Sequence, residues 1–265
     1  MKVKDWVVII TGGGTGVGAA AALMLAEGGA RVTINYSRSE KAAQETAKAC
    51  EAIGAETGAE TLVCRGDVSK DEDCRRIVAE TMAKWGRVDG LMNNAGTTQL
   101  VADDNLDSLS AEDFLHIYSV NVVGAYQMTR AVAPHMKAQG RGSILNTSSI
   151  AGVMGIGSSI AYAASKGAMN TMTISLARML APEIRVNAIA PGFITGRWWL
   201  DKLGQEGYDK MVGHIEATSP LNHAGTPEDM AEAALFLLTA SVNITGEILI
   251  SDGGAHLSGA PLIAR

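Results

Sequence analysis

Seven short apolar runs punctuate the chain: Val7–Ile10, Arg31–Tyr36, Thr61–Cys64, Asp89–Met92, Gly142–Ser149, Ile184–Ala188 and Ile248–Ser251. Each has the length and the β-branched or leucine content of a strand buried on both faces. Between them lie stretches rich in Ala, Met, Leu and Glu that read as helices: one after Gly18 to about Gly28, then Glu40–Ile53, Asp71–Trp85, Ala111–Ala138 and Ile160–Leu180. Repeated strand and helix alternation predicts an α/β fold. The expected architecture is a doubly wound, seven-stranded parallel sheet with helices on both faces and right-handed crossovers, in a single domain spanning 1–265. A tandem Gly-Ala-Glu-Thr at Gly54–Thr57 and Gly58–Thr61 reads as a small duplication lengthening a surface turn.

Composition narrows the partners. The 265 residues are 47% hydrophobic and 19% charged, enough for a substantial core. The net charge of −6, with basic residues scattered, argues against a nucleic-acid surface. Cys50, Cys64 and Cys74 are an odd number without metal-ligand spacing, so they read as reduced thiols, no metal site is expected, and the expected compartment is the cytoplasm. Lys2 and Lys4 precede an apolar run far too short for a signal peptide. Gly142–Ser165 carries no charge and is long enough to span a bilayer, but its Ser, Gly, Thr and Asn content fits a buried active-site region better than a membrane span.

Toward the end of that uncharged stretch and just past it stands the candidate chemistry. Tyr162 and Lys166, four residues apart, share one face of the expected Ile160–Leu180 helix. An ammonium beside a phenol favours the phenolate, which makes the pair a candidate acid and base. Ser149 closes the preceding strand thirteen residues upstream of Tyr162, and Ser148 offers the same hydroxyl on the opposite face. At the other end of the chain, Thr11-Gly-Gly-Gly-Thr-Gly-Val-Gly18 follows the first strand and opens a helix. Glycines there let backbone N–H groups approach a pyrophosphate at a helix N-terminus. Gly13 and Gly14 read as loop filler.

These motifs, with Asn93-Asn94-Ala95-Gly96 after the fourth run and Pro191-Gly192-Phe193-Ile194-Thr195 after the sixth, make the chain resemble the short-chain dehydrogenase/reductase family from about residue 5 to 256. The likeness is to its common single-domain members, similar to 3-oxoacyl-acyl-carrier-protein reductase-like ketoreductases. The resemblance implies a Rossmann-like fold and a carbonyl/secondary-alcohol oxidoreductase using NADP(H), with NAD(H) as the alternative. It assigns Tyr162 as general acid/base, Ser149 as hydrogen-bond donor to the substrate oxygen, and Lys166 as the residue that lowers the tyrosine pKa and holds the ribose. Asn121, inside Val120–Gly124, becomes the residue whose backbone holds a proton-relay water; the plain alternative is a structural kink. Cofactor contacts are expected at Gly12, Thr15, Gly16, Val17, Gly18, Asp67, Val68, Asn94, Ala95, Gly96, Tyr162, Lys166, Pro191, Gly192, Ile194 and Thr195. Asp67 has a second reading as a helix N-cap.

Cofactor choice rests on the end of the second strand, where Tyr36-Ser37-Arg38 offers a hydroxyl and a cation to a 2′-phosphate and no carboxylate to repel it. The alternative is a merely exposed arginine, and position Thr15 lacks the basic residue that many NADP-using members carry. Residues 196–219 are expected to form the substrate lid, where Trp198 and Trp199, with Met154 before the tyrosine helix, either wall a pocket for a bulky substrate or pack within the lid or a neighbouring subunit. His223 reads as structural. Rival functions are a 3-oxoacyl-acyl-carrier-protein reductase docking its carrier on Arg130 and Arg178, and a non-catalytic NADP-binding sensor. The family ending and the apolar stretch Leu249–Leu262 suggest a homotetramer.

Overall fold

A computed structural model describes residues 3–101, 105–240 and 242–257. The seven expected strands are all present: β1 (Val7–Ile10), β2 (Arg31–Tyr36), β3 (Glu60–Arg65), β4 (Gly90–Asn93), β5 (Gly142–Thr147), β6 (Ile184–Pro191) and β7 (Ile248–Ser251). They form one sheet in the order β3-β2-β1-β4-β5-β6-β7, parallel throughout. Successive side chains of a strand leave on opposite faces, so β1 sends Val8 and Ile10 into one core and Ile9 into the other. The first core is closed by α1 (Gly16–Glu27), α2 (Glu40–Thr57) and α9 (Pro227–Leu235); the second by α3 (Asp71–Trp85), α5 (Ala125–Ala138) and α7 (Ile160–Leu180). The remaining helices are α4 (Ala111–Tyr118), α6 (Ala151–Met154) and α8 (Arg197–Thr218).

The winding reverses between β1 and β4. Chain connections leave their carboxyl ends in opposite directions there and open the crevice in which such sheets bind ligands. The loops after β1, β4, β5 and β6 all meet at that edge.

Three expectations change. The 111–138 helix is interrupted: α4 and α5 are joined by π-helical turns at Ser119–Gly124. The Gly-Ala-Glu-Thr tandem is not a lengthened turn, because its first copy forms the last turn of α2 and its second begins β3. Gly58 ends α2 with φ 81°, and a Cβ on Gly54 would stand 2.2 Å from Ala59 O, so both glycines serve the reversal. Residues 196–219 are largely helical: α8 is broken at Gly204 (φ 67°, ψ 173°) and buries none of its residues. Of the apolar stretch Leu249–Leu262, residues 258–262 lie outside the described residues.

Candidate active site

The glycine loop is held from below by Thr11. Its hydroxyl accepts the N–H groups of Asn94 and Ala95, both at 3.0 Å, while the Asn94 side chain donates to Thr11 O and Gly12 O, both at 3.1 Å. The loops after β1 and β4 are thereby one unit. Gly12 and Gly16 take positive φ, 63° and 52°, and a Cβ at Gly18 would stand 2.6 Å from Gly12 O. Gly16 faces open space, and the first turn of α1 holds no acidic residue. An exposed helix N-terminus without a carboxylate is a cradle that suits a pyrophosphate, so the residues present fit a dinucleotide. Thr15 stands exposed at the rim beside Gly16, while Val17 turns into the core.

Gly14 is not filler. Its Cβ would stand 2.8 Å from Ala43 N, and its carbonyl accepts the Thr46 hydroxyl at 3.2 Å, so α2 is seated on the loop at this point. Gly13 is also confined, 3.1 Å from Ile10 O by the same measure. At the end of β2, Ser37 and Arg38 are exposed, and Arg38 makes no ion pair among the described residues. The strand end does hold a carboxylate after all. Burial, and then Glu40 accepting its hydroxyl, raise the Tyr36 phenol above its ordinary range. Asp67 does not cap α3, whose N-cap is Lys70; its carboxylate closes a turn by accepting Ser69 N and Oγ at 3.0 and 2.7 Å. Val68 is buried and its carbonyl is held by Gln127 at 2.8 Å.

On the far side of the crevice, Ser159 caps α7 by accepting the Tyr162 N–H at 3.2 Å. Lys166 lies one turn later, buried, with Nζ 5.4 Å from the Tyr162 ring centre. Ser149, just beyond β5, donates to Pro191 O at 3.4 Å and accepts Ala151 N–H at 3.2 Å, and its hydroxyl is near enough to the Tyr162 phenol to favour the phenolate. Burial pushes that phenol up to about 12, and Ser149 pulls the other way. Burial draws the Lys166 ammonium down to about 8. The ammonium is directed to Thr147 O at 2.6 Å, and burial is the largest influence on both groups. Ser148 points elsewhere, donating to Asn170 Oδ1 at 2.5 Å.

Asn121 is fully buried in the π-helical turns and has its partners. Its Oδ1 accepts Thr97 N–H at 2.8 Å, and its Nδ2 donates to Thr97 O and Ser165 Oγ, both at 3.0 Å. Ser165 in turn donates to Tyr162 O at 2.7 Å, so the loop beyond Gly96 is tied to the tyrosine helix. A Cβ on Gly96 would come within 3.8 Å of Lys166 Nζ, which places this loop over the lysine. Pro191 ends β6, and Gly192 after it passes so close to Asp252 that a Cβ there would stand 2.6 Å from the Asp252 Cβ. Ile194 and Thr195 are pinned to Gly225, Thr195 donating to its carbonyl at 2.7 Å.

Trp199 stacks on Phe193 with ring centres 5.7 Å apart, while Trp198 is exposed with Lys202 Nζ 4.8 Å from its ring. The tryptophans thus divide, one packing into the lid and one left at the surface. Tyr208 accepts Gly196 N–H at 3.1 Å and its ring centre lies 6.5 Å from that of Phe193, folding the lid on itself. His223 pairs with Asp229 at 2.6 Å beside the N-terminus of α9. Sequence reasoning quoted Thr11 only as the head of the glycine motif and passed over Ser165 and Asn170, of which Asn170 carried a signal in its four-residue step from Lys166.

Residues 12–256 match the family model described as enoyl-(acyl carrier protein) reductase. The chain is 39% identical over 251 residues to the assigned ketoacyl reductase 2 of granaticin polyketide synthase of Streptomyces violaceoruber, covering 95% of this chain and 96% of that one. It is 34% identical over 257 residues to L-fucose dehydrogenase of Bos taurus, covering 95% and 89%. Levodione reductase superposes with a TM-score of 0.87 at 29% identity, covering 97% and 100%. NAD+-bound xylitol dehydrogenase gives 0.84 at 31%, covering 96% and 100%. Matches of this length, reached by a chain whose glycine loop and tyrosine helix face each other across the reversal of the sheet, show that it belongs to the short-chain dehydrogenase/reductase family, oxidoreductases acting on CH–OH groups.

Proposed function

We propose that the protein reduces an apolar ketone to a secondary alcohol, and catalyses the reverse, with NADP(H) as the preferred dinucleotide. The observation that carries this reading is the placement of Tyr162 and Lys166 one turn apart on α7, with Nζ 5.4 Å from the phenol ring centre, and of Ser149 at the start of the segment that packs against that helix. A nicotinamide dinucleotide held by the glycine loop supplies or accepts the hydride. Tyr162 donates its proton to the carbonyl oxygen and Ser149 hydrogen-bonds that oxygen, so the negative charge never develops fully. Lys166 holds a positive charge beneath the phenol and is the residue to engage a ribose. Asn121 fixes the loop above it.

Substrate class is argued from the rim. Leu100, Val153, Met154 and Ile156 are 43–53% exposed, on two loops joined by Val101 N donating to Ser158 O at 3.0 Å and by the Thr98–Ser158 hydroxyl pair at 2.6 Å. Gly157 lies on one of them, and a Cβ there would stand 3.6 Å from the Tyr162 ring. Large apolar side chains beside the phenol, in a segment without charge from Gly142 to Ser165, favour an apolar ketone over a polyol. NADP preference is supported by the unpaired Arg38. The carrier-protein reading is supported by the ketoacyl reductase relative, but Arg130 is committed to Asp71 at 2.6 Å and offers less to an acidic carrier. Exposed Leu115, Tyr126, Ile174 and Met179 on α4, α5 and α7 support burial against further copies, as a homotetramer. Among the described residues no helix is long and apolar enough to cross a membrane; buried free thiols accord with the cytoplasm as its compartment.

The test is Tyr162→Phe, assayed by NADPH consumption against cyclic ketones. Turnover is expected to fall by roughly 10²-fold or more while NADPH binding, followed by its fluorescence, persists. Retained turnover would overturn the assignment.

A further inference from the structure

Asn170 stands where nothing in the chemistry just described uses it, yet it grips both sides of Ser149. Its Oδ1 accepts the Ser148 hydroxyl at 2.5 Å, and its Nδ2 donates to Gly152 O at 3.1 Å. One residue before Ser149 and one three after it are therefore fixed to a single amide. The backbone leaves little slack around that clamp. A Cβ on Gly152 would stand 2.4 Å from Lys166 C, so α6 lies directly on α7, and Ile150 N donates to Pro191 O at 2.9 Å.

Position on α7 completes the argument. Tyr162, Lys166 and Asn170 follow one another at four-residue steps, which brings them to one face of the helix. The helix that carries the phenol and the ammonium thus also carries the amide that holds the serine. Ser149 itself is weakly anchored: its hydroxyl lies 3.4 Å from Pro191 O and 3.2 Å from Ala151 N. Its distance from Tyr162 follows from the backbone on either side of it, which β6 holds through Ser148 N to Ile189 O and Ile150 N to Pro191 O, and which Asn170 alone ties to α7 through a side-chain amide at both Ser148 and Gly152. We infer that Asn170 is a positioning residue for the reaction, acting through Ser148 and Gly152 to hold the Ser149 hydroxyl against the Tyr162 phenol. The inference rests on the reading that Ser149 and Tyr162 carry the chemistry.

A double-mutant cycle tests it on the full-length protein, with trans-1-decalone and NADPH as the probe pair. Asn170→Ala is expected to lower kcat by about 10-fold, with KM for NADPH within about two-fold of wild type. In a Ser149→Ala background the same substitution is expected to cost less than about two-fold, because the group it positions is already gone. Equal losses in both backgrounds would mean a general structural role and overturn the inference. Hydrogen exchange gives a second readout that needs no turnover: Asn170→Ala should speed exchange of the 149–155 amides and leave those of α1 unchanged. Unaltered exchange at 149–155 also overturns it. Should Asn170→Ala not fold, Ser148→Ala removes one of the two bonds and is expected to show the same non-additivity with a smaller loss. Tyr162→Phe run alongside separates the two levels. Full turnover there refutes the catalytic reading, whereas its loss together with an additive cycle refutes only the role of Asn170.

Discussion

Gly14→Ala would drive a methyl group into the first turn of α2, with the new Cβ 2.8 Å from Ala43 N and 2.9 Å from Ala43 Cα. Both neighbours are backbone atoms, roughly half an ångström inside ordinary contact, and backbone cannot swing aside as the tip of a side chain does. The helix must retreat, and the Thr46 bond to Gly14 O goes with it. Overpacking of this kind costs about 1–3 kcal/mol. At roughly 2–4 °C per kcal/mol for a domain of this size, Tm should fall by roughly 2–12 °C. Because Ser37 and Arg38 immediately precede α2, KM for NADPH should rise while kcat at saturating cofactor stays within about two-fold. Gly58→Ala is the control: its φ is 81° but its Cβ would meet nothing within 4 Å, so it should lose stability through backbone strain without a change in KM. Calorimetry and steady-state kinetics on the two variants decide the matter. A Gly14→Ala protein with wild-type Tm and wild-type KM would show that α2 does not rest on this loop.

Lys166, drawn down to about 8 by burial, is charged below that pH and loses its proton above it, while Tyr162 at about 12 stays protonated; the kcat of reduction should therefore decline as pH rises through about 8, and Lys166→Arg should move that limb upward. A limb that stays put in Lys166→Arg would mean another group titrates. Arg38→Ala should weaken NADPH by roughly 10- to 150-fold in kcat/KM and leave NADH nearly unchanged, and Glu40→Gln should favour NADPH by removing the carboxylate on Tyr36. Equal losses for both dinucleotides on Arg38→Ala would count against any contact with a 2′-phosphate. Sedimentation equilibrium at micromolar concentration should give a tetramer, and a monomer would leave the exposed faces of α4, α5 and α7 unexplained.

The strands were legible because a buried parallel strand announces itself locally, in a run such as Val7–Ile10 that needs no distant partner to be recognised. Ser149, Tyr162 and Lys166 were legible for a similar reason, since their spacing lies within one loop and one helix. What the chain conceals is long-range. Thr11 matters through amides 83 and 84 positions away, Gly14 through a helix that starts after the next strand, and Asn170 through Ser148, 22 positions back. Spacing along a helix reports proximity and not solvation, and it is burial that raises the Tyr162 phenol and lowers the Lys166 ammonium.

The π-helical turns at Ser119–Gly124 have a consequence for how this chain tolerates length changes. A π turn is what one surplus residue makes of an α-helix, and it shifts the angular phase of everything after it. Removing a single residue between 119 and 124 would restore regular geometry and stiffen the connection of α4 to α5. It would also rotate Asn121 off Thr97 and Ser165, or else turn the face of α5 that carries Met128 and Val132 out of the core. The shorter chain would gain a better helix and lose either its site or its packing. The length of this one segment is therefore fixed from both sides, by the loop that Asn121 holds and by the core that α5 fills.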